Sequence, residues 1–199
     1  MTKQQWDETA TADLKIELSD ETWEALLKEA LALREEANSN GFEQVAAHRD
    51  GSFATPARFH SVQGGTVFRR LHRSIEFLEA VRRAVGMPRL IPVRCGYNYY
   101  GPGDYLGLHR DSVKATVTLN FAVTPNLDGL HWAPELRLAS NDKLAATVAE
   151  DGIFPAKVGT SISMPHRTIV AFDGYNVPHW RKPFESDLGL LANCCYFDL

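Results

Sequence analysis

His109 and Asp111 lie two residues apart in GYNYYGPGDYLGLHRDSVKATVTLNF, at the start of a strand. Residues i and i+2 of an extended chain leave the same side of the backbone, so both can grip one ion. A third ligand must come from elsewhere in the chain. His179 supplies it, 68 residues after Asp111, in the turn of AFDGYNVPHWRKP between two strand-like segments. Two imidazoles and one carboxylate on one face suit iron(II) and leave the opposite coordination positions open for oxygen and an organic cosubstrate. The His-x-Asp spacing carries little weight alone, because His48-Arg49-Asp50 repeats it outside any strand pattern. Context distinguishes the second copy. A Tyr- and Gly-rich approach precedes it, an alternating strand follows, and the distal histidine has its own turn.

Other polar residues around this stretch have competing readings. Thr116, Thr118 and Asn120 alternate along the strand after the motif, giving a polar face where an ordinary core strand would be apolar. That favours a wet interior. Tyr97, Tyr99, Tyr100 and Tyr105 are equally consistent with core tyrosines whose hydroxyls are paired. His60, His72, His131 and His166 are assigned to surface or hydrogen-bonding roles, with His166 the main exception because it precedes the strand leading to His179. Cys95, Cys194 and Cys195 form no CxxC pattern, and the adjacent pair would point to opposite faces of a strand, so they read as buried thiols of a reducing compartment. No nucleophilic triad, phosphate-binding Gly loop or dinucleotide fingerprint competes for the chemistry.

The elements that must hold these residues fall into two halves. In LKIELSDETWEALLKEALALREEANSNG, Ser19 or Asp20 can cap a helix, Trp23, Leu26, Leu27 and Ala30 recur at helical spacing, and Gly41 follows the end. A second helix is expected from about Ser74 to Val85, stopped by Gly86 and Pro88. The first dozen residues read as loose, and residues 42 to 73 as irregular or short-stranded. From Leu90 onward, LIPVRCGYNYY, KATVTLNFAV, PELRLAS, TSISMP, RTIVAFD and LLANCCYF read as short strands separated by Gly, Pro, Asn and Asp. The expectation is a mainly β, α+β fold: a double-stranded β-helix or jelly-roll barrel with helices packed outside. Residues 1–199 are expected to form one domain, with 1–89 a mainly helical support and 90–199 the β-barrel core carrying the site.

With 44% hydrophobic and 23% charged residues, the 199-residue chain reads as globular, without long disorder. No apolar run approaches the roughly 20 residues of a membrane helix. The start, MTKQQWDETATADLK, lacks the apolar core of a secretory signal, so a cytoplasmic location is expected. A formal net charge of -4 gives no global attraction to nucleic acid. Arg69, Arg70, Arg73, Arg82 and Arg83 make one local basic stretch, read as the solvated face of a helix.

The order Asn98-x-Tyr100-x-Pro102-Gly103, then Leu106, Leu108 and His109-x-Asp111, resembles the metal-proximal motif of the Fe(II)/2-oxoglutarate-dependent dioxygenase superfamily, in its prolyl-hydroxylase-like and AlkB-like branches. Glu135-Leu136-Arg137-Leu138 resembles a strand segment of the prolyl-hydroxylase-like members, and Ile169 to Asp173 with His179 their distal-ligand segment. The resemblance covers roughly Leu90 to the C-terminus. It implies Fe(II) held by His109, Asp111 and His179, with 2-oxoglutarate and oxygen as cosubstrates. It further implies contacts to 2-oxoglutarate from Asn98 and Tyr100, with Asn193 and Thr118 as further polar groups of that site. With Asp111 in place, the implied reaction is hydroxylation, desaturation or ring closure at an unactivated C–H bond. In the family a basic residue, usually Arg on the strand after the distal His, binds the far carboxylate of 2-oxoglutarate. At nine to eleven residues past His179 this chain has Leu188, Gly189 and Leu190. Arg181, two residues beyond His179 on the same face of an extended segment, is the first replacement, with Lys114, Arg94 and Arg137 behind it. Three functions follow from these residues: an oxygenase of a small molecule such as an amino acid or natural-product intermediate, an AlkB-like demethylase of nucleic acid or protein, and a non-catalytic or zinc-binding barrel. The second would need a basic rim and stacking groups such as Trp132 and Trp180 beside the pocket.

Overall fold

Ser19 begins the first long helix as its composition requires. Its hydroxyl accepts from the Thr22 amide, Asp20 and Glu21 occupy the first turn, and Trp23, Leu26 and Ala30 form the buried stripe. The computed structural model describes every residue except Met1, Lys15, 41–45, 48–50, 112–114, Asn126 and Asp128. His48-Arg49-Asp50, Gly41 and Lys114 therefore lie outside the described residues.

In chain order the elements are α1 (Lys3–Thr9), β1 (Thr11–Asp13), α2 (Asp20–Leu33), β2 (Asn38–Asn40), β3 (Ala46–Ala47), β4 (Phe53–Ala54), β5 (Ala57–Gln63), α3 (Thr66–Arg73), α4 (Ile75–Val85) and β6 (Leu90–Tyr100). There follow β7 (Tyr105–His109), β8 (Val117–Ala122), β9 (Leu130–Trp132), α5 (Asn141–Asp151), β10 (Thr160–Ile162), β11 (Ile169–Phe172), β12 (His179–Arg181) and β13 (Gly189–Asp198). Ser74 caps α4 and Gly86, at φ 72°, closes it, as expected. Helix α3 has no cap from its own sequence. Its first amides are bound instead by the Glu29 carboxylate of α2, at 2.6 Å from Val67 N and 3.0 Å from Phe68 N. Tyr97 Oη donates to the same carboxylate at 2.8 Å.

The strands form one curled antiparallel sheet in the order β1-β11-β8-β13-β6-β5-β7-β12-β9-β10, with β2 beside β5 and the β3–β4 hairpin separate. Strand β5 pairs with β6 at one end and β7 at the other, joining the two halves of the barrel. The major half has two faces. Tyr97, Leu119, Phe121, Leu190, Ala192 and Cys194 pack outward against Trp23, Leu26, Phe68 and Phe77 of the helices. The alternate residues Arg94, Asn98 and Tyr100 of β6, Thr118 and Asn120 of β8, and Leu191 and Asn193 of β13 line a cavity of about 900 Å³. This is the expected double-sheet barrel with external helices.

Several local expectations differ. The first dozen residues form α1, capped by Thr2, and β1, which pairs with β11. The segment PELRLAS is no strand. Pro134–Leu136 makes a 3-10 turn and Leu138 sits at φ 60°, outside strand geometry, so the resemblance of Glu135 to Leu138 to a strand segment does not hold in structure. Strand β5 is a seven-residue member of the sheet in a region read as irregular or short-stranded, and α5 arises in the stretch read as all β. Among the described residues no helix is long and apolar enough to cross a membrane.

His72 links the helical layer to the sheet. It is 2% exposed, its Nε2 lies 3.2 Å from the Cys195 carbonyl, and its ring meets Tyr196 edge-on. A carbonyl only accepts, so Nε2 of this imidazole carries a proton and donates. Burial pushes its pKa down to about 4, against roughly 6.5 for an unfolded histidine. Between those values the unfolded chain takes up a proton that the folded chain refuses, so stability falls as pH drops through the window. A loss of about 2 kcal/mol from this residue is expected between pH 7 and about pH 4.5. Urea unfolding at both pH values should show a correspondingly flatter pH dependence in His72→Gln, and an unchanged slope would remove His72 as the source.

Candidate metal centre

His109 ends β7 and His179 begins β12. The two strands pair antiparallel with these residues opposite each other, so the imidazoles leave the same face with ring centres 4.1 Å apart. Asp111 follows β7 and is anchored by its amide, which donates to Gly174 O at 2.8 Å. Its Oδ1 lies 3.9 Å from His109 Nε2 and 3.8 Å from His179 Nε2. One ligand atom from each residue lies within 4.8 Å of the others, and among the described residues this is the one group of its kind.

Each ligand atom is aimed by a second contact. Nδ1 of His109 lies 3.0 Å from Gly107 O, and Nδ1 of His179 lies 3.0 Å from Val177 O. The acceptor carbonyls require the proton on Nδ1, which leaves both Nε2 lone pairs facing the centre. Thr118 Oγ1 donates to Asp111 Oδ2 at 2.6 Å and leaves Oδ1 for the ion. Burial alone would raise the Asp111 pKa, but the His179 imidazole, the Arg94 guanidinium, the His109 imidazole and the Thr118 hydroxyl together hold it below the ordinary carboxylate value. The site therefore brings a carboxylate oxygen and two imidazole nitrogens to one point. That donor set fits a divalent transition ion with unfilled positions toward the cavity.

The turn before His179 contributes through backbone atoms, which sequence reasoning missed. Asp173 is 1% exposed and accepts from Asn176 N at 3.2 Å, Asn176 Nδ2 at 3.0 Å and Arg137 Nη2 at 3.1 Å. Its own carbonyl receives Val177 N at 2.9 Å. Thus Asp173 fixes the turn whose Gly174 and Val177 carbonyls hold Asp111 and His179. Gly174 is required by space, since a Cβ there would collide with the Asp111 carboxylate and the Thr118 hydroxyl. The one visible signal was the Asp-Gly pair at the strand end.

Asn98, Tyr100, Arg181, Asn193 and Thr118 all line the same cavity as the triad. Thr118, however, is engaged with Asp111. Arg181 is 1% exposed, with its guanidinium carbon 5.5 Å from the Tyr100 ring centre. The Tyr100 hydroxyl is buried close to the Arg181 guanidinium and the Asn98 carboxamide. Phe59 stacks on the Tyr100 ring at 5.5 Å. Of the other candidate cations, Arg94 lines the cavity, whereas Arg137 is drawn away to Asp173. Tyr97 and Tyr99 face the helices and bond Glu29 and the Ala30 carbonyl. Trp132 and Trp180 are buried wall residues outside the cavity lining, and His131 stacks on Trp180 at 5.5 Å. His166 lies 3.1 Å from Val123 O and His60 is exposed.

No protein-family model matches the sequence, and no curated protein matches it. Solved structures match over almost the whole chain. The non-heme alpha ketoglutarate dependent carbocyclase SnoK from nogalamycin biosynthesis superposes with a TM-score of 0.69 at 14% identity, over 99% of this chain and 83% of that one. A prolyl hydroxylase from Trichoplax adhaerens, solved with a hypoxia inducible factor peptide, gives 0.64 at 15% identity, over 100% and 88%. A 2OG-Fe(II) oxygenase family oxidoreductase from Burkholderia pseudomallei gives 0.64 at 9%, over 99% and 88%. At these identities the likeness is one of fold. The chain has the double-sheet fold of these oxygenases and, within it, a His-x-Asp…His group.

Two substitutions test the second contacts. Thr118→Val frees Asp111 Oδ2 and is expected to weaken Mn(II) or Fe(II) binding by about tenfold with the fold intact. Gly174→Ala pushes the carboxylate aside and should weaken binding at least as much. Metal titration followed by tryptophan fluorescence measures both, and wild-type affinity in the Thr118 variant would contradict the assigned role.

Proposed function

We propose that the chain is a mononuclear non-haem Fe(II), 2-oxoglutarate-dependent oxygenase that oxidises an unactivated C–H bond of a small molecule. The observation that carries this reading is the convergence of His109, Asp111 and His179 on the wall of a cavity that also holds a buried arginine. Bound Fe(II) and 2-oxoglutarate would supply oxygen activation through oxidative decarboxylation of the cosubstrate. The chain's own residues do the rest. His109, Asp111 and His179 occupy one face of the ion and keep the other open. Arg181 takes the far carboxylate of 2-oxoglutarate, and Tyr100 and Asn98 hydrogen-bond its length.

The register of the sheet supports that role for Arg181. Gly189 of β13, one of the positions where the family's usual cation would stand, lies opposite Tyr100. Arg181 reaches the Tyr100 end of the cavity from β12 instead. A buried guanidinium beside a buried phenol hydroxyl is suited to a bidentate carboxylate. Leu130, Phe172 and Leu191 supply apolar walls that exclude water from the reacting centre.

Among the solved structures of similar fold, the prolyl hydroxylase is in complex with a peptide fragment and SnoK is a carbocyclase from nogalamycin biosynthesis. The small-molecule reading is favoured here because both tryptophans that could stack a base are walled into the barrel.

Anaerobic addition of Fe(II) and 2-oxoglutarate should give the weak visible charge-transfer band of a bidentate chelate, and iron binding without the band would mean another cosubstrate. His179→Ala is expected to abolish iron-dependent succinate formation. Arg181→Ala should raise the 2-oxoglutarate KM at least tenfold with a smaller change in kcat, and Arg181→Lys should recover part of the loss. Unchanged cosubstrate kinetics in a variant that still melts cooperatively would exclude Arg181 from the site.

A further inference from the structure

The cavity has a second cationic end. Arg94, Cys195 and Thr118 stand directly opposite one another on the adjacent strands β6, β13 and β8. Thr118 is the residue bonded to the metal carboxylate. With strands about 4.8 Å apart, the Arg94 backbone is about 10 Å from that of Thr118, within the span of an arginine side chain plus a small ligand. The Arg94 guanidinium acts on both Asp111 and the Cys195 thiol, which places it near the metal group. Tyr100 lies six residues along the same face of β6, about 20 Å away at about 3.3 Å per residue. The centre thus sits between Arg181, fully buried at one end, and Arg94 at the exposed end.

Three further observations bear on what this end accepts. Arg69 of α3 lines the cavity beside Arg94 and is fixed by its Nε donating to Gly64 O at 2.5 Å. Glu29, the nearby acid, is already occupied by two amides and the Tyr97 hydroxyl. Glu36 remains on the rim as the opposing charge. Between Arg94 and Arg181, the carboxamides of Asn120 and Asn193 face each other across β8 and β13, and Asn120 is 4% exposed. Carboxamides both donate and accept, so they suit a polar ligand body better than a hydrocarbon.

We propose that Arg94, assisted by Arg69, binds a carboxylate of the substrate, so that the enzyme acts on a small organic acid anchored at the open end of the cavity. This rests on the oxygenase reading. The acid's charge fixes its orientation, and the C–H bond a few ångströms further in lies over the metal's open face. A bidentate guanidinium pair gives both the attraction and the angle. It also separates the two carboxylates in the site, with the cosubstrate's at Arg181 and the substrate's at Arg94.

The test uses Mn(II)-loaded protein without cosubstrate and reads paramagnetic broadening of ligand protons by NMR. The probes are unbranched monocarboxylates from butanoate to octanoate, each compared with its own primary amide. At least one acid should be broadened ten-fold more than its amide. Arg94→Leu should reduce that effect at least ten-fold, Arg94→Lys should restore part of it, and Arg181→Leu should leave most of it. Acid and amide behaving alike, no acid being broadened, or loss in the Arg181 variant with retention in the Arg94 variant would each overturn the proposal. The Kd for 2-oxoglutarate should rise far less in Arg94→Leu than in Arg181→Leu, and an equal or larger rise would reassign Arg94 to the cosubstrate. Failure of the oxygenase reading shows separately, as absence of the Fe(II)/2-oxoglutarate band.

Discussion

The hydrogen bond from each imidazole Nδ1 to the carbonyl two residues earlier decides whether this chain has a metal centre at all. A histidine at the end of a strand can rotate freely and present either nitrogen. Locked to Gly107 O and Val177 O, His109 and His179 present only Nε2, toward the same point. That geometry holds only while β7 and β12 are paired with the two residues opposite each other. The pairing in turn needs β5 to bridge the two halves of the sheet and the Asp173 turn to deliver β12 at the correct register.

The same alternation that builds the core also builds the cavity. On β6, β8 and β13 every second residue goes to the helices and is apolar or aromatic, while the residues between face inward and are largely polar. One strand thus serves two solvents. Buried amides and a buried guanidinium are costly without partners. Their concentration on the inner face marks that face as a binding surface, whereas the outer face carries the packing. The metal carboxylate stays ionised inside because charge and hydrogen bonding outweigh its desolvation.

Much of this was legible in the chain. The His-x-Asp pair, the distal His, the polar alternation of Thr118 and Asn120 and the N-terminal caps of α2 and α4 are local patterns that the structure realises, although His109 ends β7 where a strand start is expected and α2 stops at Leu33, well before Gly41. What escaped depends on contacts remote in sequence. Helix α3 has no cap of its own because Glu29 provides one from another helix. Strand β5 has weak strand character because its place is set by two partner strands. Glu135 to Leu138 has strand-like composition but begins with a proline turn and includes a left-handed residue. Gly174 and Val177 act through backbone atoms or through lack of a side chain, which leaves no chemical signature in the residue type, and the Asp173 carboxylate acts on the turn and not on the ion.

Strand β13 lies at the middle of the major half, paired with β6 and β8, yet follows both in the chain. During translation the earlier strands must therefore wait, with their inner edges open, for a segment synthesised well after them. Pairings of such long sequence separation fold slowly because loop closure precedes any compensating contact. His109 and His179 meet in the other half of the sheet, across β7 and β12, whose pairing also spans a long stretch of chain. Helices α2, α3 and α4, which pack on the outer face of β6, β8 and β13, all precede β13 in the chain and can cover that face while the inner edges are still open.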